Sequence, residues 1–82
     1  MADDKHIRWR CRRGMKELDV MLERFLADGY PELDEGERAG FAQLLNSMDP
    51  ELFAWLSGNA LPDDEHLAAV VRRVRRTLGR VG

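Results

Sequence analysis

Glycine and proline divide this chain into pieces that suit short helices and little else. Gly14, the Gly29-Tyr30-Pro31 run, Pro50, Gly58 and Pro62 punctuate it, and between them apolar residues return every three or four positions. That is the spacing of one helix face. No stretch alternates apolar and polar residues over the length of a strand, so the pattern predicts an all-α fold, a compact bundle of about five short helices forming a single domain over residues 1–82.

Ile7 and Cys11, four apart, share the inner face of a first helix that starts near Asp3 or Asp4, either of which can cap it, and that Gly14 ends or bends. Met15, Leu18, Leu22, Phe25 and Leu26 form the stripe of a second helix over 15–27, with Lys16, Glu17, Asp19, Glu23 and Arg24 on its polar side. Gly29, tolerant of positive φ, and Pro31 stop it. Asp34 and Glu37 read as a capping box for a third helix with Phe41, Leu44, Leu45 and Met48 inside. Asp49 then caps a short fourth helix with Pro50 at its first position, carrying Leu52, Phe53 and Leu56 on one side and Trp55 on a shoulder. Leu61-Pro62-Asp63 opens the last helix, whose inner positions are Leu67, Val70, Val71, Val74 and Leu78 and whose outward face is Arg72, Arg73, Arg75 and Arg76. Leu22, Phe25, Phe41, Leu45, Phe53, Leu56 and Val71 are the expected core. At roughly 25 cal/mol per Å² of apolar surface, five such stripes offset chain entropy only narrowly.

A domain of 82 residues has little volume for a deep cleft. No run of 18 or more apolar residues is present to span a bilayer. Asp3 and Asp4 near the start, with no apolar run after Lys5, argue against a secretory signal, and a cytoplasmic location is expected. The net charge of −2 conceals segregation: residues 1–16 carry +4, residues 17–64 carry −10 and residues 65–82 carry +4. Such a charge dipole orients an approaching partner.

Catalytic groups are sparse. His6 and His66 lie far apart without the spacing of metal ligands, Ser47 and Ser57 have no histidine and oxyanion arrangement, and Cys11, the single cysteine, has no histidine and acid beside it. Cys11 reads as a small buried hydrophobe. No glycine-rich loop exists to hold a phosphate, so a cofactor of the chain's own is not expected. The dense stretch is Arg8-Trp9-Arg10-Cys11-Arg12-Arg13-Gly14, rich in the residue types that dominate protein interfaces and also able to grip phosphates and stack on bases. The acidic middle of the chain opposes the nucleic-acid reading, which therefore stands as the alternative: a small regulatory nucleic-acid binder using both basic ends.

Two blocks carry a resemblance. Trp9, Cys11, Arg12, Arg13, Gly14, Met15, Glu17, Leu18 and Asp19 stand in the pattern Trp-x-Cys-Arg-Arg-Gly-Met-x-Glu-Leu-Asp, which contains Arg-Gly-x-x-Glu, and Asp49-Pro50-Glu51-Leu52-Phe53-Ala54-Trp55-Leu56 follows as Asp-Pro-x-Leu-x-x-Trp-Leu. In order and spacing they resemble the small succinate dehydrogenase assembly factors, the flavinylation factors of bacteria and mitochondria. The resemblance implies a non-enzymatic assembly factor that binds the flavoprotein subunit of succinate dehydrogenase, and in some bacteria that of fumarate reductase, and promotes covalent attachment of FAD to a histidine of that subunit. FAD would be carried by the partner. It implies partner-binding roles for Arg8, Trp9, Arg12, Arg13, Gly14 and Glu17, with Gly14 permitting close backbone approach and Arg13 and Glu17 pairing with charges on the flavoprotein, while Asp49 and Trp55 serve as cap and packing.

Overall fold

Each apolar stripe becomes the inner face of a helix. The computed structural model describes residues 2–79, with side chains from Lys5 onward. Five helices follow in order: α1 (Ala2–Arg10), α2 (Lys16–Asp28), α3 (Glu35–Leu44), α4 (Asp49–Leu56) and α5 (Glu65–Gly79), with one 3₁₀ turn at Tyr30–Glu32 between α2 and α3. No strand occurs among the described residues, and the all-α bundle is as expected. Its radius of gyration is 11.5 Å, close to the roughly 12 Å of a compact chain of this length.

Leu18, Leu22 and Phe25 of α2 meet Val70, Val71 and Val74 of α5 in one cluster with Phe41, Leu44, Leu52 and Leu56. The Phe25 and Phe41 rings lie 5.1 Å apart at 47°, and Tyr30 joins Phe41 at 5.6 Å and 56°, tilted arrangements that add attraction beyond area burial. Ile7 and Cys11 are buried together as their spacing implied. Phe53, expected in the core, is only half-buried. Met48 departs furthest, at 76% exposed: α3 ends at Leu44, and Met48 has extended backbone as the residue preceding α4.

The helix ends divide into those that local chemistry decides and those it does not. Asp34 and Glu37 form the expected capping box, each side chain accepting from the other's backbone N–H at 2.8 and 2.9 Å. Capping of α1 by Asp3 or Asp4 lies outside the described side chains. At α4 the sequence reading needs correction: Met48 is the N-cap, Asp49 and Pro50 are the first helical residues, and the Asp49 carboxylate points elsewhere. The last helix begins at Glu65, and Asp64 caps it by accepting the Leu67 N–H at 3.0 Å. The arginines of α5 also differ from expectation. Arg72 and Arg76 are exposed, but Arg75 Nε donates to the Trp55 carbonyl at 2.7 Å and its Nη2 to the Ala60 carbonyl, clamping the end of α4. Arg73 turns toward Glu37 at 3.2 Å and Glu32 at 4.0 Å.

Gly29 is glycine for a reason other than positive φ. It ends α2 at φ −124°, which any residue tolerates, but a Cβ there would lie 2.5 Å from Phe25 Cε1 and 2.7 Å from Thr77 Oγ1. Phe25 is packed in the core and has nowhere to move. Gly29→Ala is therefore expected to destabilise the fold by about 1–3 kcal/mol, the usual range for overpacking, read as a lower urea midpoint at unchanged slope.

Candidate functional site

The corner between α1 and α2 is built by side chains reaching back to backbone. The chain continues one more turn beyond Arg10, with the Cys11 and Arg12 N–H groups donating to the Ile7 and Trp9 carbonyls at 3.1 Å. It then reverses at Gly14, whose φ of +88° is the left-handed conformation that side chains other than glycine's disfavour. From inside α2, the Asp19 carboxylate accepts the Arg13 N–H at 2.7 Å and the Gly14 N–H at 3.2 Å. These two amides precede the helix and are fixed in place by it.

Arg13 was expected to face a partner. Its side chain is instead 14% exposed, and its guanidinium is committed within the molecule. Nε donates to Asp49 Oδ1 at 2.7 Å, Nη1 to the Leu45 carbonyl at 2.7 Å and the Arg10 carbonyl at 3.3 Å, and Nη2 to the Ser47 carbonyl at 2.6 Å. The planar fork suits this set of acceptors, which a lysine could not reproduce. Arg13 thus fastens the α1–α2 corner to the turn between α3 and α4.

Arg10, which the sequence reading passed over, completes the fastening. The last carbonyls of α3 have no helical donors. Leu45, Asn46 and Ser47 N–H groups satisfy those of Phe41, Gln43 and Leu44, and Arg10 Nη2 satisfies that of Ala42 at 3.0 Å while also donating to Asn46 Oδ1 at 2.6 Å. Two cations at the negative end of a helix are favourably placed.

With Arg10 and Arg13 turned inward, the remaining residues of the stretch are left outside. Arg8, Arg12, Gly14 and Glu17 are exposed, and Trp9 is 73% exposed. Glu17 lies in the first turn of α2, where an acid is favoured by the helix dipole. Val20, one turn further on, is 57% exposed and extends this face with an apolar group that the sequence reading assigned to neither core nor site. A Cβ on Gly14 meets nothing within 4 Å, so backbone conformation alone, and not space inside the fold, selects glycine there. On the other side of the corner, Arg8 and Arg12 border a groove of about 330 Å³ with Asp19, Glu23 and Leu26 along the α1–α2 seam.

Cys11 lies at the floor of that groove. Burial pushes its thiol up to about 11, an effect that Arg13 and Arg10 nearby only partly offset, so it is protonated and unreactive at neutral pH. His6 and His66 are exposed. Among the described residues no three His, Cys, Asp or Glu side chains gather as a metal site.

The fold and this corner define a small all-helical protein whose most elaborated surface is a hydrogen-bonded hinge between its first two helices. The family whose model is described as "Flavinator of succinate dehydrogenase" matches residues 5–78, and the chain belongs to that family. It is similar to proteins named "FAD assembly factor SdhE". The one from Idiomarina loihiensis is 46% identical over 88% of this chain and 80% of its own length, and that from Coxiella burnetii is 42% identical over 88% of both. The relative from Methylococcus capsulatus is 39% identical over 96% of this chain and 95% of its own length.

Arg13→Gln is expected to lower stability by about 2 kcal/mol or more, because the partly buried Asp49 carboxylate and three carbonyls lose the guanidinium that donates to them; chemical denaturation measures it. Cys11 is expected to resist an aromatic disulfide reagent at pH 8 in the native protein and to react fully in denaturant, followed by released thiolate absorbance. Rapid native labelling would contradict its buried, protonated state.

Proposed function

We propose that this protein binds the flavoprotein subunit of succinate dehydrogenase and promotes covalent attachment of FAD to it, docking through the corner that carries Arg8, Trp9, Arg12, Gly14 and Glu17. One observation carries the reading: Gly14 and Glu17 stand exposed on a hinge that Asp19 and Arg13 hold from within. Glu17 has no ion pair or hydrogen bond to another described side chain, which leaves its carboxylate available to a partner. Arg13 enters this proposal as a positioning residue in place of a contact.

The relatives' names couple this family to FAD and to succinate dehydrogenase, and the chain's own groups suit a holder better than a catalyst. Its cysteine is buried and its two histidines lie exposed on different helices, α1 and α5. In this reading the FAD is carried by the partner. The protein contributes orientation, keeping the flavoprotein's domains where its histidine and the flavin meet, and orientation alone is worth large factors in rate. Action in the cytoplasm, with the fumarate reductase flavoprotein as a second client, belongs to the same proposal. The nucleic-acid alternative loses part of its cationic surface, since Arg73 and Arg75 are turned to partners inside the fold.

Co-expression with the flavoprotein subunit tests the proposal, scored as flavin that stays bound after acid denaturation. Glu17→Ala, which removes an exposed side chain with no hydrogen bond or ion pair to a described side chain, is expected to reduce covalent flavin about tenfold, the effect of removing an interface hot spot. Gly14→Arg is expected to do the same, with circular dichroism confirming that it folds. Wild-type flavin content in a folded Glu17→Ala protein would remove the corner from the docking surface.

A further inference from the structure

The outer face of α2 continues past the corner. Val20 lies one turn beyond Glu17 and is 57% exposed, and residues three apart on a helix are surface neighbours. It borders an open groove of about 470 Å³ between α2 and the C-terminal ends of α4 and α5. Met21 of α2, Leu56 of α4 and Leu78 of α5 also line it. Leu56 belongs to the core, and Met21 and Leu78 pack half-buried against that core. Two arginines of the groove are engaged within the fold: Arg75 donates to the Trp55 carbonyl at 2.7 Å, and Arg24 lies 4.0 Å from Asp28. What the groove offers an incoming group is therefore apolar surface.

We propose that this groove receives a large apolar side chain, leucine, methionine or phenylalanine, from the flavoprotein that docks at the corner. This rests on the docking reading given above and adds the interface's apolar anchor to it. An ordinary interface takes about 800 Å² from each partner, supplied by about 20–30 residues, far more than the corner residues provide. A protein seated on Gly14 and Glu17 therefore spreads over adjoining surface, and along α2 the first exposed apolar group it meets is Val20. On the other side of the corner the α1–α2 groove is edged by Arg8, Arg12, Asp19 and Glu23, charges that are costly to desolvate. Binding energy concentrates where an apolar anchor fills a pocket inside a polar rim, and Val20 with its groove, one turn from the Glu17 carboxylate, has that arrangement. Helix propensity does not account for Val20, because a β-branched residue is a poorer choice than alanine or a long straight side chain on an exposed helical face.

Titration calorimetry with the purified flavoprotein subunit tests the assignment, using Val20→Ala, Ser57→Trp and Glu17→Ala, each checked for an unchanged melting temperature. Val20→Ala trims the α2 wall. Ser57→Trp, at an exposed residue ending α4 that also lines the groove, fills it from the α4 side and leaves α2 unaltered. Each of these two is expected to bind about tenfold more weakly. The Val20→Ala loss should persist at about 1 M salt, where charge contacts are screened, whereas the Glu17→Ala loss should shrink. The heat-capacity change of binding should also be less negative for Val20→Ala than for the wild-type protein. Wild-type affinity for Val20→Ala, or for a folded Ser57→Trp, overturns the proposal, and if Glu17→Ala weakens binding in the same series, the docking reading survives without this contact. A wild-type protein that sediments as a dimer, with Val20→Ala monomeric and binding the flavoprotein normally, would assign the groove to a second copy and also overturn it. Failure of the wild-type protein to bind the flavoprotein at all would remove both readings.

Discussion

Four hydrogen bonds from one guanidinium connect parts of the chain that share no helix. Arg13 lies in the loop after α1, and its acceptors are the Asp49 carboxylate at the start of α4 and carbonyls at Leu45 and Ser47 in the turn before it. The same residue's backbone N–H is held by Asp19 from α2. Three helical elements are thus referenced to a single residue. Without it, the loop carrying Gly14 would lose its tie to α4 and to the turn before it, keeping only the brace from Asp19 in α2 and the neighbouring Arg10 bonds to Ala42 and Asn46 among the side-chain bonds described. In a protein this small the apolar core leaves a narrow margin, so polar fastening at the helix ends has unusual weight.

That fastening follows one rule. Helices shorter than about four turns have a large share of their carbonyls at the end, where no amide follows. Here arginines from elsewhere in the chain supply donors: Arg10 and Arg13 at the end of α3, Arg75 at the end of α4. Each brings its positive charge to the negative end of a helix dipole. The consequence is a sorting of the arginines into two populations. Arg10, Arg13, Arg73 and Arg75 serve the fold, whereas Arg8, Arg12, Arg72 and Arg76 are left at the surface. A basic run such as Arg8-Trp9-Arg10-Cys11-Arg12-Arg13 is therefore not one patch but two interleaved functions, alternating as α1 turns and then gives way to loop.

The fold was legible to the extent that it depends on neighbours in sequence. Periodicity located the helices, the Asp34 and Glu37 spacing announced a capping box, and the Ile7 and Cys11 pairing predicted a buried face. What periodicity could not convey was anything set by contacts across tens of residues. Asp49 looked like a cap because aspartate before proline commonly is one, yet Arg13, distant in sequence, took its carboxylate. Gly29 looked like a positive-φ glycine, yet close packing against Phe25 and Thr77 was the reason. Met48 fell in register with α3 but beyond its end. At the site the division is similar: exposure of Arg8, Trp9, Arg12, Gly14 and Glu17 agreed with the sequence reading, and the inward turn of Arg13 did not. A signal for it was present in Asp19, an acid within one helical turn of the loop it braces, though nothing in the sequence alone connects that pair to Asp49.

If the protein acts by holding a partner, as proposed, rigidity at the corner has a physical rationale. A docking surface formed by a mobile loop must be ordered on binding, and that ordering subtracts from affinity. Asp19 and Arg13 order the loop beforehand, at the expense of a left-handed residue that only glycine accepts readily. The missing Cβ of Gly14 allows the reversal, and an added Cβ would meet nothing within 4 Å, so on the proposed reading the same side is open to a partner's backbone. Glu17 stands next to it on the first turn of α2, at the helix end that favours an acid and with no counterion among the described side chains. A carboxylate kept exposed and without a partner among the described side chains suits the electrostatic contact proposed for it, and Arg13 serves that proposal by fixing the loop beside it from inside.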